Sequence, residues 1–188
     1  MKNLKNMRNL KFLTAALIAS SLFIGCSKDD DPQPVNEEEL ITTMTVTLQP
    51  EGGGTDVILE FRDLDGPGPD EPEITNGNLT AGVTYSGSIV LLNEAEEPAE
   101  NITEEVEEEN LEHQFFFTVG DGLDVTTSGE NLDDENNILG TTFTLTAGAV
   151  SSGELTFTLV HEPTKPNDGL ESAGGEEDIS VTFDVSVE

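Results

Sequence analysis

The chain of 188 residues has no tryptophan, one tyrosine, one cysteine, two histidines and seven basic residues. Each scarcity excludes something. With only Cys26, no intramolecular disulfide can form, so folded stability must come from packing. Without aromatic platforms beyond Tyr85 and nine phenylalanines, a sugar-stacking cleft is poorly supplied. Four of the basic residues, Lys2, Lys5, Arg8 and Lys11, sit together at the N-terminus. Beyond them only Lys28, Arg62 and Lys165 stand against 39 acids. Such a surface repels phosphates, which excludes nucleic acid as a partner and disfavours anionic lipid headgroups, while it attracts cations. There is no Gly-x-Ser-x-Gly elbow, no phosphate loop and no spare cysteine, so an enzyme is not expected.

The N-terminal basic residues precede an apolar run from Phe12 to Ile24. Its length of about 13 residues falls short of the roughly 20 that a spanning helix needs. Residues 1–25 therefore read as a secretory signal. Cys26 follows small Gly25 directly, and Leu22-Phe23-Ile24-Gly25-Cys26 resembles a bacterial lipobox, with Phe23 where that pattern usually carries Leu. The resemblance implies that Cys26 is thioether-linked to diacylglycerol, becomes the new N-terminus and is acylated on its amine. Several chains anchor where one would not, since each buried methylene contributes about 0.8 kcal/mol. The next residues, Lys28, Asp29 and Asp30 followed by Asp31, resemble the export tag of surface lipoproteins in Bacteroidota. That implies an outer-membrane address facing the cell exterior. Residues 26–40 read as a lipidated acidic tether, rich in Asp and Pro and without an apolar face.

From residue 41 to 188 the hydrophobic pattern has a period of two. Met44, Val46 and Leu48 alternate with threonines, as a half-buried strand requires. Similar runs occur at 56–61, 84–93, 113–119, 141–146, 154–161 and 179–187, with a weaker one at 123–127. This predicts an all-β fold, a single immunoglobulin-like antiparallel β-sandwich of seven to eight strands. One stretch, Pro98 to Leu111, breaks the alternation. Asn101 and Glu104 have cap-and-box spacing, and Ile102 and Val106 share a helical face, which predicts one short acidic helix. The Pro-, Gly- and acid-rich loops 63–78 and 162–178 are the expected mobile regions.

The two histidines each stand at a strand end, on the face shared with apolar neighbours: His113 with Phe115 and Phe117, His161 with Phe157 and Leu159. If their strands are antiparallel neighbours, both imidazoles reach one rim of the sandwich. Glu112 and Glu162 flank them. Two imidazoles with carboxylates suit zinc or another transition metal, and two imidazoles alone suit the two faces of a haem iron. Two unrelated, solvated or hydrogen-bonded histidines are the structural alternative. A weaker calcium candidate is Asp63, Asp65 and Asp70, where acids and Gly66 begin like an oxygen-ligand loop until Pro67 takes a ligand position. Asp121, Asp124, Asp133, Asp134 and Glu135 are further oxygen donors.

Gly52-Gly53-Gly54-Thr55, Asp63-Leu64-Asp65-Gly66, Leu91-Leu92-Asn93-Glu94, His113-Gln114-Phe115-Phe116 and His161-Glu162-Pro163 make the chain similar to a group of small flavobacterial outer-membrane lipoproteins. That resemblance implies association with a TonB-dependent receptor. The label of type 1 periplasmic binding fold sometimes carried by the group implies two β-α-β lobes, for which this chain is too short and lacks long amphipathic helices. The expectation is a ligand- or metal-binding accessory to an uptake receptor, with a structural or adhesive surface domain as the alternative.

Overall fold

In a computed structural model the described residues are 40–66 and 68–188. The alternating runs become strands. In chain order these are β1 (Thr43–Pro50), β2 (Val57–Arg62), β3 (Glu73–Thr75), β4 (Gly77–Leu79), β5 (Thr84–Asn93) and β6 (Glu100–Asn101), then helix α1 (Ile102–Glu108). There follow β7 (His113–Val119), β8 (Val125–Ser128), β9 (Thr142–Ala147), β10 (Ser151–His161), helix α2 (Leu170–Ala173) and β11 (Glu176–Val187).

One sheet has the order β3-β2-β1-β5-β9-β8, with β6 also paired to β5; the other has the order β4-β11-β10-β7. Their inward residues form one core. Met44, Val46, Leu48, Leu59 and Leu145 come from the first sheet, and Phe115, Leu155, Phe157 and Phe183 from the second. Burial of each such side chain contributes about 1.5–3 kcal/mol. The phenylalanines meet edge to face, Phe157 standing 5.5 Å from Phe117 at 79° and 5.9 Å from Phe183 at 69°. Gly87 on β5 is required here, because any side chain at that inward position would enter the ring of Phe143.

The architecture is the β-sandwich that the alternation predicts, with three corrections. Among the described residues eleven strands replace seven or eight, because β3, β4 and β6 are two or three residues long and carry no alternation of their own. One pairing, β4 with β11, is parallel. A second helix, α2, lies in the loop expected to be mobile, and that loop is tied down: the Thr164 amide donates to the Ala173 carbonyl at 2.7 Å and the Lys165 side chain is buried.

Helix α1 starts at Asn101 and buries Ile102, Thr103 and Val106, leaving Glu104, Glu107 and Glu108 in solvent. The Asn101 side chain caps no backbone amide; its amide donates to Glu104 Oε1 at 3.0 Å instead. Thr103 fixes the helix to β5, its hydroxyl accepting from the Leu91 amide at 2.7 Å. The helix ends beside the start of β7, and this delivers its last carbonyls to the histidine rim.

Candidate functional site

Strands β7 and β10 are antiparallel neighbours, and their register places His113 directly opposite His161. Both side chains point to the inner face at the end of the Phe-lined core. Side chains of directly opposed residues are close enough to touch, and here the two imidazoles stack, with centroids 4.7 Å apart and planes 9° from parallel.

The two rings differ in environment. His113 is 1% exposed, and its Nδ1 donates to the Glu109 carbonyl at 3.2 Å, since a carbonyl oxygen can only accept. Its Nε2 faces the Asp178 carboxylate at 3.9 Å. Burial pushes the His113 imidazole below its usual pKa and the adjacent His161 ring pushes the same way, against the opposing effect of the Glu109 carbonyl. His161 lies at the outer edge of the pair, with Nε2 3.7 Å from Glu112 Oε2.

Glu112, His161 and Glu162 form a group in which one donor atom from each residue lies within 4.8 Å of the others. Local backbone explains the convergence. The Glu162 amide donates to the Glu112 carbonyl at 2.6 Å, and the Glu112 amide donates to Glu109, so the two strand ends are joined one residue beyond the histidines. Glu162 adopts φ of 49°, a left-handed conformation costing an L-residue roughly 1–2 kcal/mol. Gly175 (φ +80°) packs on the His161 carbonyl where a side chain would collide with it.

One imidazole and two carboxylates are a donor set for a divalent transition ion. The geometry corrects the larger set that the sequence suggested. An imidazole lone pair lies in the ring plane, and stacked planes send their lone pairs side by side. An ion held at about 2.0–2.1 Å in the plane of one ring is therefore out of the plane of the other. His113 cannot share an ion with His161 in this arrangement, and the pair cannot clasp a haem iron end to end.

The calcium candidate is not assembled either. Among the described residues, Asp63, Asp65 and Asp70 belong to no group of convergent ligands; Asp65 instead shapes its own turn, Oδ2 accepting from the Asp70 amide at 3.3 Å. Asp124 likewise braces a turn by accepting from the Ala149 amide at 2.7 Å. Cys26, Lys28, Asp29 and Asp30, with the signal and most of the tether, lie outside the described residues.

Two groups near the rim were not legible from local sequence. Asp178 is brought to His113 by β11, 65 positions along the chain, after a bulge between Leu159 and Val160 shifts the register. Lys165 crosses from the β10–β11 connection and donates to the Asn110 carbonyl at 2.8 Å, the His113 carbonyl at 2.5 Å and Asp133 Oδ2 at 3.0 Å. It thus holds the helix end, the first residue of β7 and the 131–139 loop together. No protein-family model matches the chain, and no curated protein or solved structure is significantly similar to it.

Proposed function

We propose that the protein is a surface-exposed outer-membrane lipoprotein that captures a divalent transition metal at Glu112, His161 and Glu162, as an accessory to a TonB-dependent uptake receptor. The observation that carries the metal reading is the approach of three donor atoms, one from each of these residues, to within 4.8 Å on two joined strand ends. Glu112 and Glu162 are exposed, so an ion reaches the site from solvent without an opening step. With 33 of the 39 acids but only Arg62 and Lys165 at position 40 or later, the domain raises the local cation concentration. The imidazole disfavours calcium, which takes oxygen ligands. The lipobox-like Cys26 and the Lys28-Asp29-Asp30 tag support the membrane address, and the resemblance to flavobacterial lipoproteins supports the receptor.

Calorimetric titration of the protein with Zn²⁺ and Mn²⁺, beside His161→Ala, tests the capture role. Stoichiometric binding that disappears in the variant supports it. Absence of binding by both proteins removes the metal and leaves a structural or adhesive surface domain. Palmitate labelling that is lost in Cys26→Ser tests the anchor separately.

A further inference from the structure

The stacked partner, His113, does not read as an ordinary core histidine. It is as buried as Phe115 of its strand, yet a phenylalanine in its place would leave the Glu109 carbonyl without the imidazole donor. Both of its nitrogens face specific groups, Nδ1 the Glu109 carbonyl and Nε2 the Asp178 carboxylate. Its backbone carbonyl is held by Lys165. The ring is thus held through Nδ1, its backbone is pinned at the carbonyl, and one of its faces is covered by His161.

We propose that His113 is a positioning residue which, by stacking, holds the His161 imidazole toward Glu112 and Glu162 and keeps itself out of the coordination sphere. The site then binds its ion through one nitrogen and two oxygens. This deepens the metal-binding reading and rests on it. The consequence is selectivity. A set with a single imidazole and two carboxylates leaves outward positions for water or further oxygen ligands, whereas a pair of imidazoles would favour Cu²⁺ or Ni²⁺ in tetragonal sites. An aromatic ring that is not a ligand can do the stacking equally well, so phenylalanine should replace histidine at 113. Alanine should not, because it frees the His161 ring to leave the plane in which its lone pair meets the carboxylates.

The experiment loads the full chain with Cu²⁺ as a spectroscopic probe and counts coordinated imidazoles by electron spin-echo modulation, with Zn²⁺ affinity measured in parallel. Wild type and His113→Phe should each show one imidazole, and their affinities should agree within about twofold. His113→Ala should bind about tenfold or more weakly, the loss typical of removing an outer-shell support. Circular dichroism checks that both variants are folded. Two imidazoles in the wild type, an equal loss of affinity in the two variants, or no loss in His113→Ala would each overturn the assignment.

If wild type binds neither ion, the metal reading fails, and the stacking claim is still decided in the metal-free protein. The His161 ring protons should then resonate upfield of their free values in wild type and His113→Phe, and return toward them in His113→Ala. An unchanged His161 spectrum in His113→Ala overturns the positioning role by itself.

Discussion

Lys165 Nζ stands 3.0 Å from Asp133 Oδ2 with side chains only 6% and 0% exposed, so an ion pair is sealed beneath the histidine rim. Every donor of the ammonium is used, and Asp133 Oδ1 accepts from the amides of Glu135 and Asn137 at 2.9 and 2.8 Å. Removing the lysine leaves a buried carboxylate without its counter-charge. Lys165→Met should lower unfolding free energy by about 3–5 kcal/mol, read as a shift of the urea midpoint at unchanged slope.

The proposed ligand set singles out Glu112 and Glu162 from the many other acids. Glu112→Gln and Glu162→Gln should each weaken Zn²⁺ binding by about tenfold or more. Glu108→Gln, on the exposed side of α1, should leave the affinity within about twofold. Competition against a zinc-sensitive dye distinguishes these outcomes.

A buried neutral histidine makes stability depend on acidity. The His113 pKa is lowered in the folded state, so between that value and the ordinary 6.5 the unfolded chain binds more protons than the native one. Stability of the metal-free protein should be level above pH 6.5 and fall as pH drops below it, by at most about 1.4 kcal/mol per pH unit from this group. Thermal melts in chelator should show the decline in wild type and not in His113→Phe. A second decline belongs below the ordinary carboxylate value of 3.8. Burial would raise the Asp133 pKa, but donors from Asn137, Lys165 and Glu135 outweigh it and hold it lower, so that support is present above 3.8 and lost as pH falls through the depressed value.

Gly174 and Gly175 both have positive φ, at +63° and +80°, yet only the second is crowded. Gly174→Ala should cost about 1–3 kcal/mol, the conformational penalty alone of a backbone at positive φ and ψ of −153°. Gly175→Ala must also displace the His161 carbonyl and the Val160 side chain. It should cost about 1–3 kcal/mol more and weaken the metal site. Denaturant melts and zinc titrations of the two variants side by side separate the contributions.

The long strands were legible because apolar residues alternate with Thr and Ser along them; Met44, Val46 and Leu48 predict β1, and Phe115 and Phe117 predict β7. Strands β3, β4 and β6 were not, since Glu73–Thr75, Gly77–Leu79 and Glu100–Asn101 become extended only by pairing with β2, β11 and β5. Proximity of the histidines followed from their places at opposite ends of two inward-facing runs. Their stacking did not, because the orientation of the His113 ring depends on the Glu109 carbonyl, which reaches the rim through the end of α1. Lys165 read as a loop residue, and nothing in its immediate neighbours announces a partner 32 positions away.

The scarcity of cations also bears on proteolysis. Trypsin-like enzymes recognise a basic side chain through an acidic pocket, and from residue 40 onward the chain offers them Arg62 and Lys165 alone. Arg62 is the last residue of β2, paired to both β1 and β3 and bound to Glu94 at 2.6 Å. The Lys165 side chain is buried, and the residue is followed by Pro166, whose ring obstructs cleavage at that bond. While folded, the domain therefore presents almost nothing for such a protease to cut, and limited tryptic digestion should leave it intact.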